Sequence, residues 1–253
     1  MEEMVATLAP ERWKLKNMIA DLPPRWVIIQ MGLGEVFGTA ILLMFGCMGD
    51  LSSLKTNVPH FISSIAFGMA VMLIITTFGH ISQAHLNPGV TICASILGGL
   101  PILLAPYYII CQCIGSIGGF WFAKLLVPEK YHKDFCVTRV HPDFNWYQGF
   151  LAEFFSSSIL ILVCCGVWDP RQATKGGSTP LKFGFGITTL AVLMGEYTGC
   201  SMNSARTLGP ALLGVDDESW GNFHWVYWVA PNLAGALITI IYMVFCGTPK
   251  PKK

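Results

Sequence analysis

The sequence predicts an all-α integral membrane protein, with six transmembrane helices and two re-entrant half-helices arranged as an inverted repeat. Three observations predict it. Of 253 residues, 53% are hydrophobic and only 12% charged, with a mean hydropathy of +0.55, which is too apolar for a domain whose whole surface is solvated. Six long apolar stretches lie at 26–49, 58–78, 103–127, 147–168, 180–196 and 223–246, most of them long enough for the ~20 residues that cross a hydrocarbon core. Two shorter apolar segments each open on an asparagine, one running from Asn87 to about Leu97 and the other from Asn203 to about Leu213.

Taken in order, residues 1–25 carry eight charges, among them Glu2, Glu3, Arg12, Lys14 and Asp21. They lack an apolar core followed by a small-residue cleavage site, so no cleaved signal is expected. The membrane domain is expected over 26–246, with repeat one at 26–127, repeat two at 147–246 and a tail at 247–253. Gly34-Glu35-Val36-Phe37-Gly38 in the first span answers Ala152-Glu153-Phe154-Phe155-Ser156 in the fourth, 118 residues on; Asn87 answers Asn203, 116 residues on. Three spans separate the copies, so the second half stands upside down relative to the first, and the functional site falls at their interface near the bilayer midplane. The two short segments cannot cross. Irregular backbone at membrane depth is tolerated only where protein shields it or where it lines a water-filled path, which implies a pore.

Charge placement orients the chain. Ten basic residues (Arg12, Lys14, Lys16, Arg25, Arg171, Lys175, Lys182, Lys250, Lys252 and Lys253) fall on the side of the termini, against Lys55, Lys124, Lys130, Lys133 and Arg139 on the other. The positive-inside rule therefore places both termini in the cytoplasm. A net charge of +1 gives no basic excess for nucleic acid. Cys47, Cys93, Cys111, Cys113, Cys164, Cys165 and Cys246 lie in or at the ends of apolar runs, where thiols pack as small hydrophobes; a disulfide framework is not expected. Cys111-Gln112-Cys113 and Cys164-Cys165 have no second ligand pair at zinc-like spacing, so no metal and no cofactor are expected. Nor is a nucleophile with a base, or a Gly-rich phosphate loop after a strand, present to suggest an enzyme.

The chemistry concentrates in Gly79-His80-Ile81-Ser82-Gln83-Ala84-His85-Leu86-Asn87-Pro88-Gly89 and Glu196-Tyr197-Thr198-Gly199-Cys200-Ser201-Met202-Asn203-Ser204-Ala205-Arg206. An Asn that starts a buried half-helix caps the backbone and keeps its amide for another partner. Two such amides meeting midway would donate to a water or alcohol oxygen, while the positive ends of both half-helices repel cations and protons. Glu35 and Glu153 inside spans are costly unless hydrogen-bonded. His80 and His85 have no carboxylate or thiolate at ligand spacing on their loop and read as loop braces.

With Glu35, Glu153, Gln112 and Trp228-Val229-Ala230-Pro231, these segments resemble the aquaporins from about residue 26 to 246. The resemblance implies a passive channel with a central constriction at Asn87, Pro88, Gly89, Asn203, Ser204 and Ala205, and loop support from Glu35, Glu153, His80 and His85. It places Phe67, Ala191, Cys200 and Arg206 around a selectivity filter, with Cys200 a site for block by mercurials. Gly89 and Ser204 depart from the family's usual Asn-Pro-Ala. Ala191 stands where water-selective members carry His, so the filter looks like that of the insect glycerol-transporting aquaporins. Thr207 after Arg206, with Ala211, Tyr227 and Trp228, keeps the water-channel style.

The implied permeants are water, glycerol and urea, the implied surroundings membrane lipid, the implied assembly a homotetramer and the implied location the plasma membrane. The alternatives are a water-selective aquaporin, a secondary transporter, which also uses inverted repeats and broken helices, and a structural, junction-forming member.

Overall fold

The computed structural model describes residues 22–56, 60–132, 135–214 and 223–247. The chain forms α1 (Arg25–Thr56), α2 (Phe61–Ser82), α3 (Pro88–Ile96), α4 (Ala105–Leu126), α5 (Trp146–Trp168), α6 (Thr179–Thr198), α7 (Ser204–Leu213) and α8 (Val226–Cys246). Helices α1, α2, α4, α5 and α8 are both long and apolar enough to cross a membrane. Helix α6 has 20 residues, about 30 Å at the α-helical rise. It is long enough to cross but less apolar, because Lys182 and Glu196 stand near its ends and Gly184, Gly186 and Gly195 dilute its hydrophobicity.

Local signals explain the boundaries. Asn145 and Gln148 form a capping box: Gln148 N donates to Asn145 Oδ1 at 3.4 Å and Asn145 N donates to Gln148 Oε1 at 3.0 Å, which starts α5. Helix α2 continues past the apolar run predicted to end near residue 78. Thr76 and Thr77 turn their hydroxyls back onto the carbonyls of Met72 and Leu73, at 2.8 and 2.9 Å, and so satisfy themselves within the helix. It stops where Gln83 turns left-handed (φ 67), as α6 stops at Gly199 (φ 77).

Helix α1 packs on α2 and α4, as α5 packs on α6 and α8, and α2 meets α6 across the middle. Each half-helix packs on the last span of the other repeat, α3 on α8 and α7 on α4. The half-helices therefore belong to the interface between the repeats rather than to either one.

Polarity is inside out relative to a soluble fold. Leu125, Phe185, Leu193, Val244 and Phe245 are exposed, whereas Glu35, Gln112, Glu153, Asn87, Asn203 and Arg206 are buried. Such an arrangement suits a hydrocarbon solvent outside and a polar path within. Trp146, Phe150 and Trp225 cluster beside Tyr147 at one end of α5 and α8, with ring centroids about 6 Å apart, as in an interfacial aromatic belt.

One expectation about the cysteines is corrected. Cys47, near the end of α1, is disulfide-bonded to Cys136 in the connection between α4 and α5. The partners are 89 residues apart, and only the tertiary path of that connection over the end of α1 brings them together. Cys93, Cys111, Cys164 and Cys165 are buried free thiols.

Candidate functional site

The two loops that lead into the half-helices have the same construction. Residues Gln83, Ala84 and Leu86 in the first, and Gly199, Cys200 and Met202 in the second, take positive φ, a region that costs an L side chain of order 1 kcal/mol each. Buried carboxylates hold that backbone in place. Glu35 Oε1 accepts from Ser82 Oγ (2.7 Å) and His85 N (2.9 Å), and its Oε2 from Leu86 N and Gln112 Nε2, both at 2.8 Å. Glu153 Oε1 accepts from Thr198 Oγ1 (2.6 Å) and Ser201 N (2.9 Å), and its Oε2 from Met202 N (2.8 Å). Tyr108 then donates to the Ser82 carbonyl at 3.0 Å, and Tyr227 to that of Thr198 at 2.8 Å. Of these, Ser82 and Tyr108 carried no role in the sequence reading. The 116-residue offset that pairs the asparagines also pairs Ser82 with Thr198 and is the signal that could have found Ser82; Tyr108 and Tyr227 stand 119 residues apart, outside that offset.

At the centre each asparagine caps its own half-helix and holds the other loop. Asn87 Oδ1 accepts from Gly89 N at 2.9 Å while its Nδ2 donates to the Met202 carbonyl at 2.7 Å. Asn203 Oδ1 accepts from Arg206 N at 3.1 Å while its Nδ2 donates to the Leu86 carbonyl at 2.7 Å. Each amide keeps one further N–H, and both residues border one cavity of ≈ 130 Å³. That cavity runs from Asp50 and His60 at one end, past Phe67, Ala191, Cys200 and Arg206, to Trp168 and Thr179 at the other. The carbonyls of Ala84, His85, Cys200 and Ser201, in the loops that line it, accept no hydrogen bond among the described residues.

Pro88, Gly89, Ser204 and Ala205 stand buried behind the asparagines. Ser204 Oγ accepts from Asn232 Nδ2 at 2.9 Å, a tie to α8 that proline could not make. A Cβ on Gly89 would lie 2.8 Å from the Pro231 carbonyl oxygen, so the glycine accommodates a close approach of α8. Arg206 lies with its Cζ 4.7 Å from the centre of the Phe67 ring, a cation–π contact. Its Nη1 donates to the Cys136 carbonyl at 2.7 Å. Cys200 Sγ donates to the Leu190 carbonyl at 3.3 Å.

His85 is buried, with Nδ1 3.3 Å from Thr91 Oγ1 and its ring against Tyr108 and Trp168. The expectation for His80 is corrected. It is exposed on the last turn of α2, in a surface groove with Trp26, Gln30 and Ile81. Because α2 stays helical to Ser82, two residues rotate the side chain by roughly 200°, so Ser82 faces Glu35 and His80 faces outward. No group of three or more His, Cys, Asp or Glu side chains among the described residues is placed to hold a metal ion.

The model of the major intrinsic protein family matches residues 24–242. The chain belongs to this family, the aquaporins. It is 32% identical to Aquaporin-2 of Rattus norvegicus over 87% of its own length and 79% of the relative's. It is 34% identical to Aquaporin-4 of Mus musculus over 87% and 68%, and 32% identical to the lens fiber major intrinsic protein of Lithobates pipiens over 82% and 78%. Among solved structures, the aquaglyceroporin of Plasmodium falciparum superposes with a TM-score of 0.73 at 21% identity, covering 87% of this chain and 97% of that one, which shows a shared fold. As an aquaporin the chain is a membrane channel and not an enzyme.

Proposed function

We propose that this aquaporin is a passive channel for water and small uncharged solutes, glycerol and urea among them, that excludes protons and ions. The observation that carries the polyol reading is Ala191, a methyl group bordering the same cavity as Phe67, Cys200 and Arg206. An imidazole there would add a donor and fill lumen; a methyl leaves room for a carbon chain. Glycerol hydroxyls would then donate to the unpaired loop carbonyls and accept from Arg206 and the asparagine amides, while Phe67 faces the carbons. The amino ends of two half-helices at the midpoint oppose any cation or proton.

The mouth that holds the Cys47–Cys136 disulfide is the outer one on this reading, since such bonds persist in oxidising compartments. Both termini then face the cytoplasm, in agreement with the charge asymmetry. A homotetramer in the plasma membrane, with one pore per subunit, completes the proposal.

Stopped-flow light scattering on proteoliposomes tests it. Glycerol should enter faster than through protein-free lipid, and Ala191→His should suppress glycerol entry and spare water. Water flux with no glycerol flux would leave the water-selective reading. Dependence of solute flux on an ion gradient would point to a secondary transporter.

A further inference from the structure

The connection between α4 and α5 passes beside Arg206, and Phe135, Cys136 and Thr138 fasten it there. Phe135 stacks on Phe120 of α4, with ring centroids 5.7 Å apart, and Thr138 Oγ1 lies 3.0 Å from Thr207 Oγ1 of α7. Between them stands Cys136. Its N–H donates to Asp50 Oδ2 at 2.9 Å, its carbonyl accepts from Arg206 Nη1 at 2.7 Å and its sulfur lies 3.4 Å from Arg206 Nη2. The same sulfur is bonded to Cys47. Cys47 and Asp50 are three residues apart on α1, so they share one face of that helix. Together they hold both the side chain and the peptide nitrogen of Cys136, whose φ of 61 is a conformation that needs such support.

Arginine offers five N–H donors on a long stem, and where its plane rests depends on which acceptors are fixed. We propose that Cys47 and Asp50 are positioning residues for permeant selection. They fix the Cys136 carbonyl, which fixes the Arg206 guanidinium over Phe67 and so sets the width of the lumen beside Ala191 and Cys200. The inference rests on the filter reading above and adds its determinant: the cut-off is set from α1, by Asp50 at the rim of the cavity and by Cys47 outside its lining. Larger solutes feel a displaced guanidinium more than water does, so the signature is a changed ratio of permeabilities rather than a uniform loss.

The test uses the full chain in proteoliposomes, comparing wild type, Cys47→Ala/Cys136→Ala and Asp50→Ala, which removes the acceptor of the Cys136 N–H, each checked by size-exclusion chromatography. The glycerol-to-water permeability ratio should shift about twofold or more in both variants. Wild type treated with a phosphine reductant should match the double cysteine variant, which should itself ignore the reductant. If the double variant does not fold, reductant added to folded wild type makes the same comparison. Equal, nonzero ratios in all proteins, with mass spectrometry confirming free thiols, would overturn the positioning role and leave the channel reading standing. Absence of flux in every protein would instead sink the channel reading. A second measurement decides the positioning role even then. Labelling of Cys200 by a small charged thiol reagent should be about threefold faster without the staple, and equal rates overturn the proposal.

Discussion

Gly89 lies where the amino end of α3 meets α8, and the fit there is close in both directions. A Cβ on Gly89 would approach the Pro231 carbonyl to 2.8 Å, and one on Gly235 would approach the Gly89 carbonyl to 2.5 Å. Gly89→Ala should therefore cost about 1–3 kcal/mol through overpacking, read as a lower melting temperature of the detergent-solubilised protein. An unchanged melting temperature would mean that α8 can back away freely. The identity of residue 89 was plain in the sequence; the reason for it was not, because the backbone that excludes a methyl group comes from α8, more than a hundred residues later. The same holds for Cys136, whose partner is chosen by the path of a connection that no periodicity describes.

Helix positions, by contrast, were largely legible, because apolar length is a direct record of the hydrocarbon to be crossed. Boundaries slipped where polar groups satisfied themselves inside a helix, as Thr76 and Thr77 do. Glu35 and Glu153 could be read as costly buried acids needing partners, yet the sequence did not say that each would take the backbone of a whole loop. Replacing either by Gln turns one acceptor oxygen into a donor that faces backbone N–H groups. Glu35→Gln and Glu153→Gln should each cost roughly 3 kcal/mol and slow water flux by distorting the left-handed turns, with melting curves and stopped-flow traces as the readouts. Wild-type flux and stability in either variant would show that the loops keep their shape without the carboxylate.

At the scale of the molecule, the face opposite the disulfide has its own fastening. Asp169, just beyond α5, accepts from Arg171 N at 2.9 Å, Arg171 Nε at 2.8 Å and Tyr242 of α8 at 2.9 Å, and Arg171 donates on to the Cys246 carbonyl at 2.8 Å. The Arg171 hydrogen bond is the main reason its carboxyl is held down at about 2. A carboxyl whose folded pKa is lowered contributes stability above the ordinary carboxylate range and loses it as pH falls through the lowered value. Asp169→Asn should lower the melting temperature by a similar amount from about pH 5 to about pH 8, and the gap should close only as pH falls toward about 2. A gap that varies between pH 5 and 8 would assign the stabilisation to another group.

The exchange of amide and carbonyl between Asn87 and Asn203 bears on how the chain is made. When the ribosome has delivered the first three spans, Asn87 has no Met202 carbonyl to hold and the leading turn of α3 no opposite number. The narrowest part of the path cannot exist until the final third of the polypeptide has entered the bilayer, so a membrane holding half-made copies is not thereby made leaky.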